Sequence, residues 1–157
     1  MKKIVLALLI VFSFNVFAEE KDYGDVIVST VVTVHDGDTF SVMINKWPTI
    51  VGDKILVRVD GVDTPEILGQ CQKEKDLAQK AKLFTQQFLN TDKRIYLKHM
   101  RRDKYFRILA DVQVNGKLLS QELINNGLAR PYHGEKKQSW CVVDSTSTAI
   151  ASSVINN

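Results

Sequence analysis

Residues 58–66 read R-V-D-G-V-D-T-P-E and are the stretch most informative about the fold and its site. They follow three apolar residues directly, so an arginine continues a run that is otherwise typical of a buried strand. Burying a guanidinium is costly unless it meets anions, and the turn after the strand supplies carboxylates. Pro65 fixes its own φ and stiffens the turn that carries Asp63 and Glu66. A rigid acidic turn beside a half-buried arginine suits a divalent cation and a phosphate. A surface turn with a salt bridge explains the same residues.

Two further segments place charged residues at the ends of predicted strands. Residues 35–39 read H-D-G-D-T, and Asp-Gly between apolar runs is typical of a hairpin turn. A hairpin does not require the second acid, Asp38. Residues 103–107 read D-K-Y-F-R and place Arg107 at a strand entrance. The basic residues over 98–104 are either a solvated loop or contacts to phosphate.

Apolar periodicity predicts a mainly β chain. Alternation over residues 26–59, broken at an Asp-Gly pair and a Trp-Pro pair, predicts three strands. Apolar residues at helical spacing then predict an amphipathic helix over residues 73–89. Two more strands are predicted over 94–100 and 107–114, and a short helix over 119–125 ends at a glycine.

The first 18 residues are predicted to be a secretory signal peptide, with two lysines, a short apolar run and small residues near the cut. The run is too short for a membrane span, which needs about 20 apolar residues. We therefore expect an exported protein, periplasmic or extracellular, with no membrane association after cleavage. The domain is expected to cover residues 19–157, with its core at about 26–141. The tail over 142–157 is rich in Ser, Thr and Ala, which predicts a frayed end or one short helix.

Overall charge gives little evidence about partners. Without the two lysines of the predicted signal peptide, 19 basic residues face 18 acidic ones, for a net charge of +1. A hydrophobic content of 45% is enough for an ordinary core in a single domain.

The chain has two cysteines, Cys71 and Cys141. An even number in an exported protein favours a disulfide, here across 70 residues. Closing such a loop stabilises the fold by about 4 kcal/mol in the chain-entropy model. Metal ligation is the weaker alternative, because no C-x-x-C is present and thiolates prefer soft metals.

Taken together, the three charged segments resemble the staphylococcal nuclease (thermonuclease) family. The family's D-G-D-T, its arginine followed by V-D-T-P-E, and its D-x-Y-G-R correspond to residues 36–39, 58–66 and 103–107. A downstream block with two Asn-Gly pairs and Tyr132 follows in the family's order, so the resemblance covers residues 28–140. Three ordered motifs are far more specific than any one of them.

Phe106 is the main departure from the family's pattern, because a glycine is usual there. Phenylalanine resists a positive φ and adds bulk beside Arg107. We expect it to modify the site rather than disable it.

The resemblance implies an α+β, mainly β fold: a five-stranded OB-type Greek-key barrel with two or three helices. It also implies a Ca²⁺ site formed by Asp38, Asp63 and the backbone carbonyl of Thr64, completed by waters and the substrate phosphate. Arg58 and Arg107 would contact phosphate oxygens and stabilise the negative charge that develops on them in the transition state.

Four further residues complete the implied site. Glu66 would act as general base or orient the attacking water. Lys104 and Tyr105 would bind a neighbouring phosphate. Tyr132 would stack on the nucleotide or hydrogen-bond to it, although a packed aromatic after Pro131 is nearly as good an explanation.

The expected function is a secreted, calcium-dependent, sugar-nonspecific nuclease that cleaves DNA and RNA and leaves 3′-phosphates. Unpaired strands are expected to be preferred, because phosphate contacts carry little base information and a barrel groove with aromatic residues suits splayed bases. A monomer without a stable protein partner is expected. The alternative is an OB-type nucleic-acid-binding module without turnover, which the presence of all the implied catalytic residues disfavours.

Overall fold

The computed structural model describes residues 21–141, so the predicted signal peptide and the predicted tail lie outside the described residues. Within that range the chain forms nine strands and three helices. The strands are β1 Val26–Ile27, β2 Thr30–Val34, β3 Thr39–Met43, β4 Ile55–Val59, β5 Val62–Asp63, β6 Ile95–Arg102, β7 Ile108–Val114, β8 Lys117–Leu118 and β9 Arg130–Pro131. The helices are α1 Thr49–Gly52, α2 Gln72–Leu89 and α3 Leu119–Asn125.

The main sheet is mixed and curls into a half-barrel. Its strand order is β1-β6-β7-β4-β3-β2, with β8 added to β7, and β4 and β7 are its parallel pair. The two ends of this order are β1 and β2, which are separated in the chain only by Val28 and Ser29. Val28 N–H donates to Ile95 O and Ser29 N–H donates to Met43 O, so these two residues join both edges. A sheet whose edges are tied by two residues must curl, which confirms the predicted OB-type, mainly β fold.

The predicted helices over 73–89 and 119–125 are confirmed within one residue, and the two later strands are confirmed with β6 and β7. The first part of the chain differs in two respects. The first predicted strand divides into β1 and β2, which pair with different neighbours. The stretch after Trp47-Pro48 forms α1 before β4 begins. Pro48 fixes φ and favours this short helical turn, which alternation alone does not indicate.

The core lies inside the curled sheet and under α2. Every second residue of β7 is buried, from Ile108 to Val114, because alternate side chains point into the half-barrel. The largest fully buried side chains include Phe40, Ile44 and Leu97. Among residues 21–141, no helix has the length and apolar character that a membrane crossing requires.

Helix α2 fixes the turn that precedes β3. Thr85 Oγ1 in α2 donates a hydrogen bond of 2.6 Å to Gly37 O. A Cβ at residue 37 would lie 2.7 Å from Ala81 Cβ and 2.9 Å from Thr64 Cγ2. Gly37 is therefore required by close approach, and the helix can lie directly against the turn that presents Asp38.

Candidate active site

Asp38 is the buried anchor of the site. It directly precedes β3, where the register with β4 places Thr39 opposite Arg58. Its Oδ1 accepts hydrogen bonds from Thr39 Oγ1 at 3.0 Å and from Arg58 NH1. Its Oδ2 accepts from Thr64 N at 3.0 Å and Thr64 Oγ1 at 2.7 Å. Burial raises the pKa of Asp38 to about 6, although the Arg58 guanidinium and the Thr64 hydroxyl pull in the opposite direction.

Arg58 lies between the two predicted metal ligands. Its side chain is 12% exposed, so the arginine inside the apolar run is largely buried, as the sequence predicts. NH1 pairs with Asp38, while NH2 donates to Val62 O at 3.0 Å and lies 3.9 Å from Asp63 Oδ1. The guanidinium therefore meets anions on two sides, which is the condition for burying it.

Asp63 is buried in β5, whose short pairing with β9 places it opposite Arg130. Its Oδ2 accepts a hydrogen bond of 3.3 Å from Trp140 Nε1. Its Oδ1 is buried and makes no hydrogen bond of acceptable geometry, although Lys137 Nζ lies 2.7 Å away. The pair is close in distance but poorly aligned, so we regard it as an ion pair.

Glu66 and Lys137 form the outer edge of the same cluster. Glu66 leaves the buried turn at Pro65, and its side chain is half-exposed. Lys137 Nζ donates to Glu66 Oε1 at 2.9 Å, so one ammonium bridges Asp63 and Glu66. Burial tends to lower the pKa of Lys137, but the neighbouring carboxylates of Asp63 and Glu66 outweigh it and raise the pKa.

Arg107 lies in the turn between β6 and β7 and faces the same cleft as Arg58 and Glu66. Asp103 organises this turn, because its Oδ1 accepts from Tyr105 N at 2.8 Å and Arg107 N at 3.0 Å. Its Oδ2 accepts from Arg107 Nε at 2.7 Å. The Arg107 guanidinium also lies over the Tyr105 ring, 5.3 Å from its centroid. Arg107 is thus oriented by its own turn, with its terminal nitrogens without a partner among residues 21–141.

Phe106 adopts a positive φ although phenylalanine disfavours that conformation. Phe106 has φ 63°, the left-handed conformation that the family's glycine would adopt without strain. Its N–H donates to Asp103 O at 3.1 Å, and its carbonyl accepts from Arg102 NH1 at 2.7 Å. These two hydrogen bonds hold the turn around Phe106, and the ring points to solvent with 82% of its surface exposed.

A cleft of about 820 Å³ brings these elements together. Six Lys and Arg residues line it against four Asp and Glu residues, so its surface is positive although the chain is nearly neutral. The predicted site residues that line it are Arg58, Glu66, Lys104, Tyr105, Arg107 and Tyr132. Asp38, Asp63 and Thr64 are buried beneath Arg58 and the Glu66 turn.

The donor set of the predicted metal site fits a hard cation, with one complication. The oxygens of Asp38, Asp63 and Thr64 are of the type that Ca²⁺ prefers, and the buried Asp63 Oδ1 makes no hydrogen bond. Asp38, in contrast, already accepts four hydrogen bonds from the protein. The fit therefore rests mainly on Asp63, and a cation at Asp38 would compete with Arg58.

The final described segment holds the site from outside. This strap, residues 132–141, begins where Tyr132 N–H donates to Gly61 O at 3.0 Å. It contributes Lys137 and Trp140 to Asp63, and the Arg130 guanidinium lies 3.8 Å from the Trp140 ring centroid. The strap ends at Cys141, which is bonded to Cys71 with a Cα–Cα distance of 5.9 Å. Glu74 lies beside this disulfide, but bonded sulfurs are not thiolate ligands, so the metal alternative for the cysteines has no support here.

The sequence does not identify Lys137 or Trp140 as site residues. Lys137 is adjacent to Lys136 in a polar run, and no pattern distinguishes one lysine from the other. Only the path of the strap places Lys137 at Asp63.

The fold and this arrangement define the chain as an OB-type protein whose cleft gathers arginines above buried carboxylates. The sequence profile of the family described as "Staphylococcal nuclease homologue" matches residues 56–145. The chain is 30% identical to "Thermonuclease" of Staphylococcus hyicus over 135 residues, covering 81% of this chain and 76% of that protein. It is 37% identical to "Endonuclease YncB" of Bacillus subtilis (strain 168) over 97 residues, covering 60% of this chain and only 43% of that protein's length. The chain belongs to the staphylococcal nuclease family.

Disulfide reduction is expected to lower the stability of the domain. The bond closes a 70-residue separation, and such a loop is worth about 4 kcal/mol in the chain-entropy model. The free energy of unfolding, measured by urea titration with and without reductant, should fall by roughly that amount. A Cys71→Ser/Cys141→Ser variant should match the reduced protein and no longer respond to reductant. An unchanged unfolding midpoint in both would contradict the prediction.

Proposed function

We propose that the chain is a calcium-dependent, sugar-nonspecific nuclease that hydrolyses phosphodiester bonds of DNA and RNA. The observation that carries the proposal is the convergence of Arg58, Glu66 and Arg107 on one positive cleft above the buried Asp63. Both similar proteins named above are nucleases by name, which supports hydrolysis of a nucleic acid. Family resemblance supports attack that leaves 3′-phosphates, and the predicted signal peptide supports export to the periplasm or the extracellular space.

The cleft offers the two elements that phosphodiester hydrolysis needs. Positively charged groups must contact the phosphate oxygens as negative charge develops on them in the transition state. Asp103 and Tyr105 orient Arg107 for this contact. A carboxylate must hold or deprotonate the attacking water, and Glu66 is the half-exposed carboxylate beside Asp63. A bound Ca²⁺ at Asp63, Asp38 and the Thr64 carbonyl would supply charge stabilisation for the phosphate.

Substrate contacts outside the reacting phosphate are assigned to Lys104, Tyr105 and Tyr132. Tyr105 is 66% exposed, and Lys104 Nζ lies 5.1 Å from its ring centroid, so the pair offers charge and a stacking face together. Tyr132 comes much later in the chain than Lys104 and Tyr105, but it lines the same cleft. Aromatic faces beside phosphate-binding cations favour unpaired strands, because splayed bases can stack.

The direct test is digestion of a plasmid and a single-stranded RNA by the purified domain, with added Ca²⁺ and then with excess chelator. We expect both substrates to be cut with Ca²⁺, neither with chelator, and the products to carry 3′-phosphates. Full activity in chelator would refute the metal assignment. Tight binding of single strands without any cleavage would replace the nuclease with the non-catalytic binding module.

Phe106→Gly is expected to change cleavage by less than about threefold. Glycine adopts φ 63° freely, so the turn that orients Arg107 should persist while the strain of about 1–2 kcal/mol is relieved. Phe106→Ala is the matched control, because it removes the ring and keeps the strained Cβ. Steady-state kinetics on one oligonucleotide should show a change of less than about threefold for both variants. If the natural protein is inert and Phe106→Gly cleaves, the nuclease assignment of the natural chain is wrong.

A further inference from the structure

Lys137 occupies an unusual place for a lysine in a site that is expected to bind a cation. Its ammonium lies 2.7 Å from Asp63 Oδ1 and 2.9 Å from Glu66 Oε1. Asp63 is the carboxylate on which the fit to a divalent ion mainly rests, and Oδ1 is its oxygen without a hydrogen bond. The ammonium therefore provides positive charge at the oxygen that a metal ion would use.

The strap explains how a surface residue reaches this position. Trp140 fixes the other oxygen of Asp63, and the disulfide at Cys141 fixes the end of the strap. Lys137 lies between these fixed points and the Tyr132 contact to Gly61. Its side chain remains 46% exposed, so the ammonium has a path to solvent and is not locked in place.

The charges around the ammonium both hold it in place and allow a divalent metal ion to displace it. Asp63 and Glu66 attract it, whereas Arg58, whose NH2 is 3.9 Å from the same oxygen, repels it. A divalent ion carries twice the charge and binds carboxylate oxygens directly. A half-exposed lysine that leaves one carboxylate keeps most of its hydration and can stay near the other.

We propose that Lys137 is a positioning residue that serves as the internal counter-ion of Asp63 and Glu66, holding the two carboxylates together in the metal-free protein and yielding Asp63 to a divalent cation. The inference rests on the proposed function only in taking Asp63 as a cation ligand. It predicts that metal binding is weaker than the carboxylates alone would allow, because each binding event displaces an ammonium.

Calcium binding in the absence of nucleic acid tests this directly. Lys137→Gln should bind Ca²⁺ at least about fivefold more tightly than the natural protein in isothermal titration calorimetry. A fivefold change is about the interaction energy of two unit charges roughly 4 Å apart in water, so it is a lower bound for removing the ammonium. Lys137→Arg, which keeps the positive charge, should return the affinity toward the natural value. Lys136→Gln is the matched control, since it removes the same charge from the adjacent exposed residue and should change the affinity less than twofold.

A second measurement separates this role from simple packing. In chelator, Lys137→Gln should melt at a lower temperature than the natural protein, because Asp63 and Glu66 then lack their counter-ion. Saturating Ca²⁺ should raise its melting temperature by more than it raises that of the natural protein. A purely structural lysine would lower both melting temperatures equally and leave the affinity for Ca²⁺ unchanged, which would overturn the proposal.

The inference and the proposed function can fail separately. Tighter Ca²⁺ binding by Lys137→Gln in a protein that cleaves nothing would support the counter-ion and reject the nuclease. Cleavage that requires Ca²⁺, together with unchanged or weaker binding in Lys137→Gln, would retain the nuclease and overturn the counter-ion. Absence of Ca²⁺ binding in both proteins would overturn it as well.

Discussion

Asp63→Asn is expected to lower calcium-stimulated cleavage by at least about a hundredfold, because it removes the charge of the carboxylate best suited to hold the ion. Asparagine has the same shape and retains an oxygen for the Trp140 indole N–H, which lies 3.3 Å from Asp63 Oδ2. The buried turn should therefore remain folded. Initial rates over a Ca²⁺ titration measure the effect, and circular dichroism checks the fold.

Asp60→Asn is the matched control for this variant. Asp60 belongs to the same turn, but it pairs with Arg101 and not with Arg58 or Lys137. Its removal should leave the Ca²⁺ dependence within about threefold of the natural protein. Equal losses in the two variants would show that the turn tolerates no loss of charge, and the specific assignment to Asp63 would fall.

The second large effect is expected from Arg58→Lys, which should lower kcat by roughly a hundredfold or more and change KM less. The guanidinium holds Asp38 with one nitrogen and Val62 O with the other, and it faces Asp63. A lysine ammonium keeps the charge, but it lacks the planar donor fork of the guanidinium and cannot contact all of these groups at once. Single-turnover rates on a short oligonucleotide at saturating Ca²⁺ isolate the chemical step.

Arg94→Lys provides the comparison, because Arg94 is exposed, directly precedes β6 and lies outside the cleft. It should leave both kinetic constants unchanged. An unchanged kcat in Arg58→Lys would remove Arg58 from the catalytic residues and leave it as the structural partner of Asp38.

Most of the strands, helices and charged residues that position the site can be predicted from the sequence, because the patterns that indicate them are local. Alternation in β7 and helical spacing in α2 follow directly from which face is buried. The unusual arginine at residue 58 indicates a buried charge, and the structure places acids on both sides of it. The Asp38 that a hairpin does not require is the one whose carboxylate accepts four hydrogen bonds.

What the sequence does not predict depends on contacts between distant segments. Lys137 and Asp63 are brought together by the path of the strap, which no spacing encodes. Phe106 adopts a left-handed conformation because the hydrogen bonds of Asp103 and Arg102 outweigh its own preference. The division between β1 and β2 likewise arises from curling of the sheet, in which neighbouring residues pair with opposite edges.

The Cys71–Cys141 disulfide links the redox state of the chain to the geometry around Asp63. It is the covalent end of the strap, in which Trp140 donates a hydrogen bond to Asp63 Oδ2 and Lys137 forms an ion pair with Oδ1. A newly made chain with two thiols would lack this tether, so Asp63 would be held less firmly and hydrolysis should be slower. Under the proposed function, in which the chain is exported from a reducing cytosol, oxidation would form this tether and complete the site. The activity of the exported protein would then depend on the redox state of its compartment.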